Sequence, residues 1–514
     1  RLDLSLRDLM REVSATGATL HGAETTFVSG IQQDSRAVQP GDLFVARRGQ
    51  ASDGTRFVAG AVAAGAHALL AERGSVDPAS VPVPTILVDD VARALGFFAS
   101  AIYRHPSFSL EISGVTGTNG KTTTTHLIRS LLDGLAGRPS CATLGTVGIG
   151  FGTYAAAASH TTPEGDALAR TFDDLRVRGA DAVAMEVSSI AIELGRVNGV
   201  RFRVASFGNL TQDHLDFHGT MEAYGAAKAK LFTELGPGAA VVNIADPFGA
   251  TLFAGLHVPK LAVSPDGEIP DRRAPDLFVR AATRVGIHTE VVLATPDGDL
   301  RSVVPFVGRH NMENLVVALG IVRLFDHDLR LTEALLPTLI GAPGRLEPVS
   351  RIGEVPVFVD YAHTPDALVR VLEALRPAVV PGGRLICIFG CGGDRDATKR
   401  GPMGLAVGRG ADVAVVTNDN PRTEEPEAIA RPILAALETL GVPTISRADL
   451  KNARRGTLAL LDRAVAIEAA IGAAQPGDVV LIAGKGHEDY QILGTTKHPF
   501  DDRIVARAAL DALR

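Results

Sequence analysis

The sequence predicts an α/β protein of three domains, and three observations carry that expectation. Short β-branched runs alternate with helical patterns along most of the chain, as in parallel sheets flanked by helices. A glycine-rich loop, "VTGTNGKTTTT" (Val115–Thr125), stands between an apolar strand and a helix, the setting in which such loops hold phosphate. The length, 514 residues, corresponds to about three domains at roughly 100–200 residues each.

Residues 1–106 read as a small α/β unit. "VSGIQQDSRAVQPGDLFVA" alternates β-like runs with turn residues, and "RFVAGAVAAGAHALLAE" reads as a helix running into a strand. A boundary is expected near Tyr103–Ser107. The second domain, 107–341, continues with strands in "ADAVAMEVSS", "RVASFGNLT" and "GAAVVNIAD", a meandering β edge over 265–305, and a helix in "GRHNMENLVVALGIVRLF". "IGAPGRLEPV" reads as a linker. From 342 to 514 the alternation resumes, with strands in "VPVFVDY", "RLICIFG", "ADVAVVT" and "DVVLIAG". There are no internal repeats and no low-complexity tract.

Composition narrows the function classes. Hydrophobic residues make up 46% of the chain, enough for several cores. A net charge of −7 without a long basic run disfavours nucleic-acid binding, which needs clustered Lys and Arg. The three cysteines, Cys141, Cys387 and Cys391, suggest neither a disulfide framework nor a zinc site and read as small buried residues of a reducing compartment. No apolar run approaches the ~20 residues of a membrane span, and no signal-peptide pattern opens the chain. The expectation is a soluble, cytosolic protein.

The usual phosphate-loop pattern, G-x-x-x-x-G-K-[ST], asks for glycine where Val115 stands, and Gly114 offsets the loss. Gly117 and Gly120 allow tight turns and close approach of backbone to phosphate oxygens. Lys121 supplies a point charge, Thr122 a hydroxyl for Mg²⁺, and the following helix its N-terminal dipole. Glu186 of "MEVSS" stands at a strand end, where α/β sheets place ligands, and suits a second Mg²⁺. Asp213, His214, Asp216 and His218 crowd the segment after another strand. Lys228 and Lys230, taken alone, read as a solvated helical face.

Together these segments resemble the Mur ligases, the ATP-dependent amino-acid-adding enzymes of peptidoglycan synthesis. "GTNGKTT", "MEVSS", "NLTQDHLDFHGTMEAYGAAKAKLF", "GRHNMENL", "GRLE", "DYAHTPDAL", "GCGGDRD", "TNDNPR" and "AGKGHEDYQ" occur in the family's order, from Asp34 of an earlier "DSR" to Gln491. The resemblance implies a first domain that holds UDP, a central P-loop ATPase-like domain on a parallel sheet, and a C-terminal Rossmann-like domain that binds the incoming amino acid and closes over the site. It implies a reaction in which ATP phosphorylates the γ-carboxylate of D-glutamate in a UDP-muramoyl-dipeptide. The amine of meso-2,6-diaminopimelate then attacks the acyl phosphate. The working form is expected to be a monomer.

Residue by residue, the resemblance places ATP at Gly117, Thr118, Asn119, Gly120, Lys121, Thr122 and Thr123. Asn311 and Asn314 fall on the adenine side, and Arg345 and Asp360 at phosphates and ribose. It implies Mg²⁺ at Thr122, Glu186 and His214, with Lys228 carbamylated as a further ligand and Lys230 dispensable. Ser35 maps to uridine, Gln50 to the nucleotide-sugar, and Thr161, Thr162, Ser188 and Arg196 to the muramoyl-dipeptide. In the third domain, Arg422 and Arg395 would grip the distal carboxylate of diaminopimelate. Asp419 and Glu488 would hold its ammonium, with Asn420 and Pro421 completing the loop and Gly484 letting backbone approach. The chain departs from the family at Gln50, His160, Ile190, Leu194 and Gly208, all on the nucleotide-sugar side. The alternatives are a lysine-adding Mur ligase or a folylpolyglutamate-synthase-like ligase, and "DNPR" argues against both. A regulatory NTPase with a degenerate site would have lost Lys121, Glu186 or Lys228, and all three are present.

Overall fold

The computed structural model describes residues 3–47, 53–158, 160–267, 273–285, 287–351 and 353–513. Gln50 lies outside them. The chain forms two compact units: residues 1–281, 292–301 and 313–336 make the first, and 282–291, 302–312 and 337–514 the second.

The first unit holds two principal sheets besides the two-stranded pair of Leu4–Ser5 with Phe27–Val28. In the smaller, Gly30–Gln32, Asp42–Ala46, Ala68–Glu72 and Thr85–Val88 run parallel, and Thr19–His21 closes one edge antiparallel. Helix Val91–Ile102 covers one face, with Phe98 and Leu95 packed on Leu43, Val45, Leu70 and Ile86. Asp90 starts that helix by accepting the Arg93 amide.

In the larger sheet, Cys141–Gly145, Ala182–Glu186, Glu111–Thr116, Val204–Phe207, Ala239–Asn243 and Lys260–Ser264 lie side by side and parallel. Parallel strands are covered on both faces, so they read as unbroken apolar runs, and nearly every residue of these strands is buried. Phe172, Met185, Phe202, Phe207 and Leu231 fill one side. The order matters for function. Glu111–Thr116 lies between Ala182–Glu186 and Val204–Phe207, so the loops after all three strands open at the same sheet edge. The meander expected over 265–305 is present as Leu277–Val285, His288–Thr295 and Gly298–Val304.

The second unit is built on a sheet in the order Glu347–Pro348, Val357–Asp360, Val479–Ala483, Leu385–Phe389, Val413–Val416 and Gly456–Ala459. All but the first run parallel; four of them lie where the four apolar runs predict strands, and Gly456–Ala459 is an edge strand outside those runs. Two buried ion pairs brace it, Arg384 with Asp478 and Arg463 with Asp502. Arg463 also donates to the carbonyls of Asn418 (3.1 Å) and Ala483 (3.0 Å), so one guanidinium ties together two strand ends that carry loops. Its remaining donors grip Asp502 twice, at 2.7 Å each, which satisfies a charge that burial would otherwise penalise. The three cysteines are free and buried, and burial pushes the Cys391 thiol up to about 11.

Candidate active site in two parts

The phosphate loop leaves strand Glu111–Thr116 and enters helix Lys121–Ala136. Gly120 has φ +84°, and a Cβ there would run into the Asn314 side chain, so both backbone and space demand glycine. The neighbouring strand's loop braces the turn. Asn209 Oδ1 accepts the Asn119 amide (2.9 Å), the Asn209 carbonyl accepts the Thr118 amide (2.8 Å), and Thr118 Oγ1 donates to the Thr211 carbonyl (3.1 Å). Lys121 Nζ lies within the loop it serves, donating to the carbonyls of Gly117 (2.9 Å) and Thr118 (3.0 Å). Thr122 is buried in the helix's first turn, with Thr123 beside it. Thr124 Oγ1 donates to Asn314 Oδ1 at 3.3 Å.

One strand over, Glu186 is 1% exposed at the end of Ala182–Glu186. Its Oε1 accepts the Thr146 amide (2.9 Å) and its Oε2 the Thr146 hydroxyl (3.2 Å). A Cβ at Gly145 would collide with this carboxylate, which gives that glycine a reason. Thr146 Oγ1 in turn lies 3.1 Å from Thr161 Oγ1. Thr162 donates to the Glu186 carbonyl (2.9 Å) and accepts the Ser188 amide (3.1 Å), while Arg196 Nη1 reaches the Thr162 carbonyl at 3.2 Å. Ser188 starts the short helix Ser189–Glu193 by accepting the Ala191 amide. Thr161, Thr162, Ser188 and Arg196 are thus brought into one cluster around Glu186, although they come from two separate segments.

The cluster is joined to the smaller sheet. Glu164 bridges Arg196 (2.8 Å) and Arg47 (3.0 Å), and Gln33, two residues before Ser35, donates to Asp166 at 2.8 Å. Ser35 itself sits half-buried in the turn after Gly30–Gln32.

The reading of Lys228 and Lys230 as a solvated face is corrected here for Lys228. Helix Met221–Thr233 buries Tyr224, Ala227, Lys228 and Leu231, which recur at helical spacing on one stripe. Lys228 is 1% exposed, its Nζ donates to the Gly117 carbonyl at 3.0 Å, and it stands 4.3 Å over the Tyr224 ring. Among the described residues no carboxylate lies within ion-pair distance of it. Burial, and then the Lys121 ammonium, push this amine well below the ordinary lysine range. Lys230 faces away and pairs with Glu193 at 2.8 Å. His214 meets the Tyr224 ring edge-on, with ring centres 6.2 Å apart, and His218 bonds Ser189 at 2.9 Å.

The second unit holds the remaining residues. Asn311, on helix Arg309–Leu324, donates to the Val307 carbonyl at 2.8 Å. Asp360 is buried and accepts the amides of Leu346 and Ala362, both at 2.7 Å, with desolvation raising its pKa. The Arg345 guanidinium lies over the Tyr361 ring at 4.8 Å.

The "DNPR" loop and the "GKGHE" loop meet. Arg422 has φ +53°, an uncommon conformation for a residue with a side chain, and its amide donates to the Ile492 carbonyl at 3.1 Å. Its Nη1 donates to the Gly393 carbonyl at 2.7 Å. A Cβ at Gly392 would meet Arg422 Nη1 at 3.1 Å and Arg395 Cγ at 3.8 Å, so both arginines border one glycine. Gly484 has φ +120°, and the nearest atom to a Cβ built there is Asp419 Cγ at 3.8 Å. Between Asp419 and Glu488 stands a residue the motif reading did not single out: Lys485, fully buried, 3.4 Å from Asp419, 3.3 Å from Glu488 and 3.1 Å from Asn420. Its signal was available as a lysine between two glycines at the end of an apolar strand. Thr146, Glu164, Asn209 and Tyr224 were also missed, and single polar residues in loops carry no such signal.

Residues 27–103 match the model of the Mur ligase family catalytic domain, 115–322 that of the Mur ligase middle domain, and 344–486 that of the Mur ligase glutamate ligase domain. A UDP-N-acetylmuramoyl-L-alanyl-D-glutamate–2,6-diaminopimelate ligase of Trichormus variabilis is 42% identical over 514 aligned residues, covering 99% of each chain. The protein of that name from Synechococcus elongatus is 44% identical and covers 95% of each. A solved structure of a ligase with the same name superposes with a TM-score of 0.72 at 33% identity, covering 100% of this chain and 99% of that one.

Proposed function

The chain belongs to the Mur ligase family, and we propose that it uses ATP to join meso-2,6-diaminopimelate to the D-glutamate of UDP-N-acetylmuramoyl-L-alanyl-D-glutamate. A carboxylate resists attack because it is anionic and lacks a leaving group. Transfer of the γ-phosphoryl group of ATP to the glutamate γ-carboxylate releases ADP and supplies that leaving group. The amine of diaminopimelate attacks the acyl carbon, phosphate departs with the C–O bond electrons, the nitrogen loses its proton, and an amide remains.

The observation that supports this reading best is the convergence of Lys121 and the buried Lys228 on the Gly117 carbonyl of a braced phosphate loop. Gly117–Thr123 would cradle the ATP phosphates, with Lys121 offsetting charge that builds on the transferring group. Asn311, Asn314, Arg345 and Asp360 would complete the nucleotide site. Thr161, Thr162, Ser188 and Arg196 would hold the dipeptide and Ser35 the uridine. Arg395, Asp419, Asn420, Pro421, Arg422, Gly484 and Glu488 would hold the amino acid. In domain terms, 1–106 would serve UDP, 107–341 ATP and 342–514 the amino acid, in the cytoplasm.

Mg²⁺ fits the donors present. The Glu186 carboxylate takes two hydrogen bonds from Thr146 and keeps lone pairs, and Thr122 would offer a hydroxyl; both are hard oxygen donors of the kind magnesium takes. When bound, the ion lowers the cost of bringing anionic oxygens together. Lys228 would act as a carbamate: its uncharged amine adds to CO₂, forms the N–C bond and gives up a proton. The product is an anionic oxygen ligand to stand with Glu186 and His214.

The test is ADP release by purified protein with ATP, Mg²⁺ and UDP-muramoyl-dipeptide against a panel of amino acids. Release that needs both dipeptide and diaminopimelate supports the reading. Turnover with ATP alone, or with lysine in preference, contradicts it.

A further inference from the structure

We propose that Lys485 sets amino-acid specificity by fixing the charge of the pocket formed by Asp419, Glu488 and Arg422. The inference rests on reading that pocket as the diaminopimelate site and adds a residue to it that contributes no contact of its own to the substrate.

Lys485 is fully buried, and its Nζ reaches Asp419 Oδ1, Asn420 Oδ1 and Glu488 Oε2. Asn420 completes the inner ring, donating to Glu488 Oε2 (3.1 Å) and accepting the Ile492 amide (2.9 Å). The ammonium is therefore enclosed by polar atoms, with the Tyr490 ring 5.6 Å away. Asp419 Oδ2 and Glu488 Oε1 take no side-chain hydrogen bond among the described residues, and both side chains keep some exposure, 13% and 17%. These outer oxygens are free to receive a ligand's ammonium. Arg422 binds the Gly393 carbonyl through Nη1 alone, which leaves its other nitrogens for a ligand's carboxylate. Nearby acids are committed elsewhere: Asp394 to Thr423, and Glu424 to Arg400.

The charges then sort simply. Asp419 and Glu488 bring two negative charges, and Lys485 cancels one from inside. Arg463, which also lies near these acids, is matched by Asp502, so the acidic side of the pocket presents one net negative charge and faces the cationic side formed by Arg422 and Arg395. The distal end of diaminopimelate is a zwitterion, an ammonium and a carboxylate on one carbon, and matches that pair. Lysine ends in an ammonium alone and would leave Arg422 unmatched. Without Lys485 the Asp419–Glu488 side would present two uncompensated negative charges and hold a lone cation more tightly. Like-charge and unpaired-charge mismatches are what specificity of this kind is built on.

The experiment compares kcat/KM for meso-diaminopimelate and for L-lysine in wild type, Lys485→Gln and Lys485→Arg, with KM for ATP as a control. Glutamine keeps donors for Asn420 and Glu488 while removing the charge. The diaminopimelate-to-lysine ratio should fall about tenfold or more in Lys485→Gln, through the KM for the amino acid, and hold within about threefold in Lys485→Arg. Equal losses on both amines, or a Lys485→Gln protein that cannot be kept folded, would overturn the proposal in favour of a purely structural ion pair. A wild-type enzyme that does not use diaminopimelate would instead sink the functional reading itself, so the two failures are distinguishable.

Discussion

Two lysines, one in each unit, are almost completely buried, and their surroundings are opposite. Lys228 has a backbone carbonyl, an aromatic face and a second lysine for neighbours. Lys485 has two carboxylates and an amide oxygen. Burial disfavours charge in both places, yet only Lys485 is given anions to offset it. Burial of a lysine does not by itself say what the lysine does. An amine buried without an anion is pushed toward its uncharged form, the form that addition to carbon dioxide requires. An amine buried among carboxylates has its charge matched where it stands, and under the proposal above it sets the charge that a ligand meets.

The largest effect that sharpens this contrast is expected at the loop both readings depend on. Lys121→Ala should cut ADP release by about 10³-fold with the melting temperature little changed, since the side chain acts on ligand charge. Normal ADP release would remove the phosphate-loop assignment. Next comes Lys228→Ala, expected to lose about 10²–10³-fold in kcat and to recover part of it with added short-chain carboxylic acids. Full activity, or loss without any rescue, would break the carbamate half of the comparison. Arg422→Ala should lower kcat/KM for diaminopimelate by roughly 10²-fold or more while lysine changes little, because only diaminopimelate offers the distal carboxylate. Equal effects on both would break the other half.

A smaller effect concerns pH. The folded-state pKa of Lys228 lies below its unfolded value, so the unfolded chain binds more protons between the two. In CO₂-free buffer, wild type should therefore gain stability relative to Lys228→Met as pH rises toward the ordinary lysine range, and lose it as pH falls. Denaturation midpoints that move in parallel for the two proteins would contradict this. Lys230→Ala, which breaks only a partly exposed pair with Glu193, should stay within about twofold of wild-type activity.

Much of this was legible beforehand because parallel strands write themselves as apolar runs. "DVVLIAG" and "ADAVAMEVSS" could hardly be anything but buried strands, and they fold as Val479–Ala483 and Ala182–Glu186. The loops after such strands were readable as places for chemistry, which located Glu186 and the Lys121 turn. Which side a helix buries was harder to read. "AYGAAKAKLF" offers two lysines two residues apart, and alanine-rich surroundings give a weak amphipathic signal. Only the packing of Tyr224 and Leu231 shows that Lys228 faces inward and Lys230 outward. Partners distant in sequence were invisible: nothing in "GTVG" announces that Thr146 will hold Glu186, forty residues on. Lys485 was hidden differently, inside a motif already credited to its glycine and glutamate.

The most direct test of the contrast is carbon-13 NMR of the enzyme equilibrated with ¹³C-bicarbonate. A single carbamate resonance is expected in wild type, absent in Lys228→Ala and retained in Lys485→Gln, because the amine buried without an anion is the one pushed toward the uncharged form that adds CO₂. No carbamate signal in wild type, or one that survives Lys228→Ala and disappears with Lys485→Gln, would contradict the account.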